Sequence, residues 1–242
     1  TLDDQGRAQS KSLGNVVDPV DIAKRLGGEI VRLWVASVDF REDVVGTEAL
    51  MERIGENYKK IRNTFRYVLS NLDGFDPARD AVPFDEMQPL DQYMLLRTEE
   101  FAKQVRQWYE EMVFHRVYHR LNDFCVVDLS AIYFSILKDR LYTAAPKSLA
   151  RRSAQTAIWR IGEALVRLVA PIMTFTADEI WQYLPQVAGR SESVHLELFP
   201  KPGEITGPVR DSARVATIVA DWDKLFEIRE EVLKALETVR QD

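Results

Sequence analysis

The stretch TEALMERIGENYKKIRNTFRYVLSNLDGFDP, residues 47–77, carries the pattern that decides the fold class. Its apolar stripe consists of Leu50, Ile54, Tyr58, Ile61, Phe65, Val68 and Leu72. Spacings of three and four residues place that stripe on one side of an α-helix. Thr47 is suited to cap the start of this helix, and Gly74 and Pro77 are suited to end it. The stretch therefore predicts one long amphipathic helix with a buried face.

Three further segments show helical periodicity. They run from about Leu90 to Met112, from about Phe114 to Leu141 with a bend near Asp128, and from about Ser148 to Val169. Four long amphipathic helices joined by short loops are typical of an antiparallel bundle. We therefore expect a mainly α protein of that architecture.

Shorter elements flank the four long helices. Asp18 and Pro19 are suited to start one short helix, and residues 29–35 predict a second, although their β-branched side chains leave a strand open. Thr176 is suited to cap another helix, which ends at Tyr183. These elements predict a short helical connecting segment before the bundle and one short helix near its end.

The C-terminal part contains a further candidate for β structure. Residues 193–198, SVHLEL, alternate between polar and apolar side chains, so we expect at most one short β-hairpin or strand near 193–199. A link rich in proline and glycine then leads to a last helix from about Asp211 to Arg240. The predicted division is a connecting segment at 1–46, a bundle at 47–200 and a linker with the start of a further region at 201–242.

Composition limits the class of protein. The chain has 242 residues, of which 46% are hydrophobic and 29% charged, as expected of a globular protein with a sizeable core. It has no apolar run near the length of a membrane span. Cys125 is its one cysteine, which excludes an internal disulfide and a structural zinc cluster. We expect a monomer in the reducing cytoplasm.

Basic residues cluster although the net charge is −6. Four of them lie close together without an acid between them: Lys59, Lys60, Arg62 and Arg66. A second cluster between residues 138 and 167 includes Arg151 and Arg152. Local stripes of this kind can bind a polyanion on an acidic protein, and we take these six residues as candidate nucleic-acid contacts. Solvated helix faces are the commoner cause when charge alone is considered.

The N-terminal loop QGRAQSKSLGN, residues 5–15, is a candidate phosphate site. Its glycines let the backbone bend and approach a ligand closely. Hydroxyls on Ser10 and Ser12 and the ammonium of Lys11 suit phosphate oxygens. A surface turn would have a similar composition, so the pattern alone leaves both interpretations open.

Longer stretches resemble a known family. The loop followed by VVDPVDIAKRLGGEIVRLWVASVDFRED resembles the end of the catalytic domain of class I aminoacyl-tRNA synthetases. YKKIRNTFRYVLSNLDGFDP, FHRVYHRLNDFCVVDLSAIYFSILKDRLYT, RRSAQTAIW and LVAPIMTFTADEIWQYLP resemble the isoleucyl-tRNA synthetases of bacterial type. The likeness covers about residues 5–200 and extends more loosely to the end. Equivalent segments of the valyl or leucyl enzymes, and a non-enzymatic helical interaction module, are the alternatives.

The resemblance implies a function for a longer parent enzyme. Such an enzyme activates isoleucine with ATP, accompanied by Mg²⁺, and transfers it to the isoleucine tRNA, which makes it an ATP-dependent ligase of protein biosynthesis. We expect this chain to be a segment of that ligase that runs from the phosphate loop through the anticodon-binding bundle. We expect the segment alone to be inactive, to hold neither ATP nor Mg²⁺, and to contribute recognition of the anticodon stem of the tRNA.

The resemblance also assigns residues in the loop. The family's Lys-Met-Ser-Lys-Ser sequence contacts the ATP phosphates, and Lys11 occupies its second lysine position. We therefore expect Lys11 to be the catalytic residue, with Ser10 and Ser12 beside it at the nucleotide. Ala8 and Gln9 stand where the family has lysine and methionine, so no role is carried over to them.

Other potentially reactive side chains have simpler interpretations. His115 and His119 lie four residues apart on a predicted helix, but no third ligand accompanies them, so we predict no metal site. Cys125 lies among apolar residues and is expected to be a small buried hydrophobe.

Overall fold

Helices form most of the chain in the computed structural model, which describes residues 1–209 and 212–241. The α-helices are α1 Pro19–Leu26, α2 Gly28–Ser37, α3 Glu48–Asn71, α4 Pro77–Asp80, α5 Pro89–Glu110, α6 Phe114–Asp123, α7 Phe134–Thr143, α8 Leu149–Val169, α9 Thr174–Tyr183 and α10 Ser212–Gln241. Across those residues no β-strand is present, and only isolated bridges join Leu2 to Ala8 and to Val45. The predicted mainly α fold is confirmed.

Helix α3 follows the predicted pattern. The side chain of Thr47 accepts a hydrogen bond from the backbone N–H of Leu50 at 3.3 Å and so caps the helix. Its inward face is buried, and Val68 on that face lies against Gly162 of α8. A Cβ atom at Gly162 would lie 2.8 Å from Cγ1 of Val68, so the two long helices approach more closely than any larger residue would allow.

The helix type changes around Asp128, where the sequence predicts a bend. Between α6 and α7 the chain forms a π-helix, Phe124–Tyr133. The hydroxyl of Ser130 donates to the carbonyl oxygen of Cys125, five residues back, at 2.7 Å. Wider turns of this kind occur mostly at functionally or structurally demanding places. Here the π-helix directs Tyr133 into the core, where its side chain is fully buried.

A buried carboxylate joins four helical segments. Asp91 on α5 is completely buried. It accepts two hydrogen bonds from the guanidinium of Arg140 on α7, both at 2.8 Å, and one from the hydroxyl of Tyr133 at 2.8 Å. The hydroxyl of Ser153 on α8 donates a further one at 2.5 Å. Because every oxygen lone pair directed at the protein has a donor, the charge can stay in the core.

Helices α1 and α2 form the connecting segment before the bundle. Asp18 caps α1 by accepting from the N–H of Val20 at 2.7 Å, with Pro19 in the first helical position. The segment at residues 29–35 is helical, so the alternative of a strand is wrong there. Ile30 and Leu33 on α2 are buried against α3 and α6, because a helix and not a strand brings these residues to one side.

Two local predictions differ from the structure. Residues 194–196 form a single 3₁₀ turn and not a strand, because Ser193 and Val194 both donate to the carboxylate of Asp178 and no partner strand lies alongside. Helix α9 begins at Thr174 and not after Thr176, since the hydroxyl of Thr176 binds the carboxylate of Glu29. The predicted start of the last helix at Asp211 lies outside the described residues.

Replacing Arg140 by methionine should destabilise the fold strongly. The substitution leaves the Asp91 carboxylate buried without its cation, which costs about 3–5 kcal/mol for pairs of this kind. Urea unfolding followed by circular dichroism measures the loss.

The matched control is Lys103→Met on α5. Lys103 pairs with Glu100 at 3.8 Å, and both side chains are exposed, so its loss should cost at most about 1 kcal/mol. Equal destabilisation by the two substitutions would contradict the role given to the Asp91–Arg140 pair.

Candidate nucleic-acid interface and phosphate loop

The carboxylate of Asp3 organises the N-terminal loop. It accepts from the backbone N–H groups of Gln5 and Arg7 at 3.0 and 2.8 Å. It also accepts from the guanidinium of Arg7 at 2.8 Å and from the side-chain amide of Asn15 at 2.9 Å. The bond from Asn15, followed by those from Arg7, holds the pKa of Asp3 well below its ordinary value. The two ends of the loop are therefore tied to one charged group.

The tip of the loop presents the predicted phosphate-binding residues. Lys11 and Ser12 are exposed in a 3₁₀ turn that spans Lys11–Leu13. The hydroxyl oxygens of Ser10 and Ser12 lie 3.1 Å apart. Gly14 has φ of 67°, the left-handed conformation that closes the turn. The two hydroxyls therefore lie together, with the exposed Lys11 between them in sequence, an arrangement that suits phosphate oxygens.

The loop is attached to the connecting segment. The side-chain amide of Gln9 donates to the carbonyl oxygen of Gly46 at 2.6 Å, and the N–H of Leu2 donates to the carbonyl of Val44 at 2.8 Å. Ala8 contributes its backbone carbonyl to the side chain of Asn15. Gln9, which stands where the resembling family has methionine, therefore serves here as an anchor of the loop.

A groove of about 630 Å³ lies between α3 and α9. Arg62, Asn63 and Arg66 line it from α3, and Glu179 and Tyr183 line it from α9. We call it the α3–α9 groove. Because the apolar stripe of α3 is buried, the opposite side of the helix carries these polar residues toward solvent.

The exposed aromatic face of α9, from which Tyr183 lines the groove, was not predicted from the sequence. Tyr183 is 72% exposed, and Phe175, at the start of the same helix, is 73% exposed. Together with Glu179 these residues are spaced by four, so they share one face of α9. The opposite face carries Ala177 and Trp181, which are buried. The signal in the sequence that could have revealed this surface was an aromatic residue at each end of the outward face of α9.

A second cavity of about 450 Å³ adjoins the α3–α9 groove and shares Arg62 and Asn63 with it. Lys59 and Glu56 lie along this cavity, and their side chains pair at 2.7 Å with both groups exposed. An exposed pair of this kind contributes little stability, so Lys59 can exchange its partner for a phosphate. Lys60 is exposed on α3 but lines neither space.

Arg151 and Arg152 are not brought to the groove. Arg152 pairs with Asp80 at 3.2 Å, and its guanidinium carbon lies 5.9 Å from the ring centre of Phe75. A hydrogen bond from Arg79, with a smaller contribution from Arg152, lowers the pKa of Asp80 to about 2. Arg151 donates to the carbonyl of Ala144 at 3.4 Å. These contacts hold the start of α8 in place.

Two more arginines of the basic cluster at residues 138–167 bind acceptors within the protein. Arg160 donates to the carbonyl of Thr206 at 2.5 Å, and its burial lowers the pKa of the guanidinium. Arg167 donates to the carbonyl of Leu198 at 2.7 Å. Both fasten the segment after α9 to α8 through backbone carbonyls. All four basic residues of the cluster on α3, by contrast, are exposed.

The other candidates raised by the sequence are Cys125, which is buried, and metal-ligand groups. Burial raises the pKa of the Cys125 thiol to about 12, as expected of a packed hydrophobe. No group of three or more histidine, cysteine, aspartate or glutamate residues suited to a metal is present within residues 1–209 and 212–241. Among the helices described, none has the length and apolar character needed to cross a bilayer.

The groove has the features that single-stranded nucleic acid requires. Bases stack on exposed aromatic rings, arginines hold the phosphates, and carboxylate and amide groups can form hydrogen bonds with base edges. Tyr183 supplies the ring, Arg62 and Arg66 the positive charge, and Glu179 and Asn63 the polar groups. The N-terminal loop with Lys11, the candidate phosphate site, lies in a different part of the chain.

Two known sequence families match this chain. Residues 91–242 match a family described as the anticodon-binding domain of tRNA ligase, and residues 1–45 match the class I tRNA synthetases of the I, L, M and V group. The chain is similar to isoleucine–tRNA ligases of Symbiobacterium thermophilum, Desulforamulus reducens and Brevibacillus brevis, each at 46% identity over all of this chain. It spans 25% of the length of each of these relatives.

Solved structures share the fold. A methionyl-tRNA synthetase of Mycobacterium tuberculosis bound by methionyl-adenylate aligns with a TM-score of 0.62 and 22% identity, covering 77% of this chain and 37% of that protein. A ternary LeuRS–tRNA–LeuAMS complex of Agrobacterium radiobacter aligns with a TM-score of 0.58 and 19% identity, covering 85% of this chain and 24% of that protein.

Replacing Asp3 by alanine should release the N-terminal loop. Exchange of the backbone amides of Gln5 and Arg7 should accelerate about tenfold at neutral pH, because both lose their acceptor. In the unsubstituted chain the ionised Asp3 carboxylate accepts both hydrogen bonds at every pH above the ordinary aspartate pKa. Protection of the two amides from exchange should fall only when the pH drops through the lowered pKa that Asp3 has in the folded chain. Hydrogen exchange followed by NMR measures both effects.

Asp4→Ala is the control, since Asp4 is an adjacent, exposed acid. It should leave both amides protected. If the amides of Gln5 and Arg7 exchanged at the same rate in the Asp3→Ala and Asp4→Ala variants, the organising role of Asp3 would be wrong.

Proposed function

Since the chain belongs to the family of anticodon-binding domains of tRNA ligases, we propose that it is the tRNA-binding part of an isoleucine–tRNA ligase. The parent enzyme activates isoleucine with ATP and transfers it to the isoleucine tRNA. Similarity to isoleucine–tRNA ligases along the whole chain supports isoleucine as the amino acid. The match at residues 1–45 supports the class I synthetase group. Translation takes place in the cytoplasm, which we propose as the location.

The observation that carries the proposal is the α3–α9 groove. Its exposed Tyr183 faces the same space as Arg62 and Arg66, a combination suited to unstacked bases joined by phosphates. A duplex offers no free base face for such a ring. We therefore propose that nucleotides of the anticodon loop occupy the groove, with the adjoining cavity and Lys59 following the backbone.

The polar residues of the groove suggest how bases are distinguished. Glu179 can accept hydrogen bonds from amino groups on a base, and the amide of Asn63 can both donate and accept. The arginines position the strand through phosphates and carry no sequence information. Recognition of the base edges is thus assigned to Glu179 and Asn63, and affinity to Tyr183, Arg62 and Arg66.

The N-terminal loop has a separate role in this proposal. Its residues fit the phosphates of ATP, because Lys11, Ser10 and Ser12 lie together on an exposed turn. Lys11 would hold negative charge that develops on the departing pyrophosphate, and the hydroxyls would orient the phosphate oxygens. Mg²⁺ would accompany the nucleotide and supply further charge neutralisation. Residues 1–46, 47–200 and 201–242 remain the proposed division into catalytic end, bundle and further region.

Valyl and leucyl enzymes remain the competing substrate assignments. The solved relatives include leucyl and methionyl enzymes, but at 19% and 22% identity they support only the fold. The 46% identity to isoleucine–tRNA ligases favours isoleucine. A non-enzymatic helical interaction module is disfavoured by the similarity to isoleucine–tRNA ligases over all of this chain.

Replacing Tyr183 by alanine should weaken binding of an isoleucine tRNA. Loss of one stacking partner costs about 1–3 kcal/mol, which corresponds to a rise in Kd of about 5- to 150-fold. Fluorescence anisotropy with a labelled anticodon stem-loop, at one fixed salt concentration, measures the change.

One control and one further groove variant make the test specific. Tyr142→Ala removes an exposed tyrosine of α7 that does not line the groove, and it should leave Kd unchanged. Arg66→Ala should weaken binding and lower its dependence on salt, because it removes a phosphate contact. Equal Kd values for isoleucine and unrelated tRNAs would reduce the groove to a general polyanion surface and overturn the proposal.

Replacing Lys11 by alanine in the full-length enzyme should impair the activation step. ATP–pyrophosphate exchange should fall about 100-fold, because one preorganised charge at the phosphates is lost. Lys24→Ala on α1 is the control, since Lys24 is exposed and pairs only with Asp21 nearby at 3.6 Å. Unchanged exchange in the Lys11→Ala enzyme would reject the assignment.

A further inference from the structure

The start of α9 is capped by a residue from outside the bundle. Glu29 on α2 is 7% exposed, and its carboxylate accepts from the backbone N–H groups of Phe175 and Thr176 at 2.7 and 2.9 Å. The hydroxyl of Thr176 binds the same carboxylate. Met173, at the ordinary capping position, offers α9 no side-chain acceptor. Glu29 therefore satisfies the unpaired donors of α9 and places a negative charge at its positive end.

A second residue of α2 binds the turn between α8 and α9. The guanidinium of Arg32 donates to the carbonyl of Ile172 at 2.9 Å and to that of Pro171 at 2.7 Å. Arg32 lies one helical turn from Glu29, so both side chains leave the same face of α2. One turn of α2 thus binds the carbonyls before α9 and the amides that begin it.

The same contacts reach the opposite wall of the groove. The hydroxyl of Tyr58 on α3 lies 2.9 Å from the hydroxyl oxygen of Thr176. Tyr58 is one turn before Arg62 on α3, and Thr176 itself lines the α3–α9 groove. Glu29, Thr176 and Tyr58 therefore form a chain of contacts that sets the position of one groove wall relative to the other.

We propose that Glu29 is a positioning residue for RNA binding, so that the α3–α9 groove is completed by the segment that also carries the phosphate loop. This inference rests on the proposed function of the groove. Without the cap, the first turn of α9 loosens and Tyr183 and Glu179 lose their fixed distance from Arg62 and Arg66. Only the properly positioned fraction of molecules then binds, and the apparent Kd rises in inverse proportion to that fraction.

Simple electrostatics predicts the opposite result for the decisive variant. Glu29→Gln removes one negative charge from a protein that binds a polyanion, which by itself would tighten binding. The positioning role predicts weaker binding, since an amide oxygen is a poorer cap and brings no charge to the helix end. The direction of the change in Kd therefore separates the two explanations.

The experiment measures binding of the anticodon stem-loop to Glu29→Gln and to Glu48→Gln by fluorescence anisotropy. Glu48 pairs with Arg25 at 3.3 Å on the surface, so it is an equal change of charge away from α9. We expect Kd to rise about fivefold for Glu29→Gln, a cap-sized effect, and to stay unchanged or fall slightly for Glu48→Gln. Amide exchange at Phe175 and Thr176 should accelerate only in Glu29→Gln.

Combination with Tyr183→Ala gives a further test. If Glu29 acts by positioning Tyr183, the double variant should bind only slightly more weakly than Tyr183→Ala alone. Full additivity, or unchanged binding by Glu29→Gln while Tyr183→Ala weakens it, would overturn the positioning role and leave the groove assignment intact. Failure of the unsubstituted chain to bind the stem-loop would instead refute the proposed function.

Discussion

The buried ion pair between Asp91 and Arg140 is the interaction on which the bundle depends. A carboxylate removed from water carries a desolvation cost of several kcal/mol, and it stays ionised only where donors replace the water. Arg140, Tyr133 and Ser153 supply those donors from three different segments of the chain. The requirement to satisfy one charge therefore specifies how α5, the π-helix, α7 and α8 are arranged.

The groove follows from this arrangement step by step. With α8 fixed by the ion pair, Gly162 admits α3 at close range, and the inward face of α3 is then determined. The corner after α8 directs α9 back along α3, where Glu29 and Tyr58 hold its first turn. A surface suited to unstacked bases is thus built on packed helices, which gives its side chains a fixed geometry. The same packing separates the arginines into two groups. Those of α8 bind acceptors within the protein, whereas Arg62 and Arg66 on α3 remain on the surface.

Most of the fold was predictable because it depends on local pattern. The periodicity of residues 47–77 predicted α3, its cap at Thr47 and its buried face, and Asp128, where a bend was expected, lies inside the π-helix. At most one strand was expected near 193–199, and residues 194–196 form a 3₁₀ turn instead, because alternation alone cannot supply a partner strand. The cap assigned to Thr176 was wrong because Glu29, 147 residues away in sequence, takes the helix end.

The sequence by itself determined the helical class of this protein, the positions of its long helices and the loop that contains Lys11. These follow from side-chain periodicity and turn chemistry, which act over a few residues. Only the tertiary structure decided which charges are free. Arg152 is occupied by Asp80 and Arg140 by Asp91, whereas Arg62 and Arg66 meet Tyr183 across a groove. Long-range packing selects the partner of each charge, because a buried ion must find a compensating group wherever the fold brings one near.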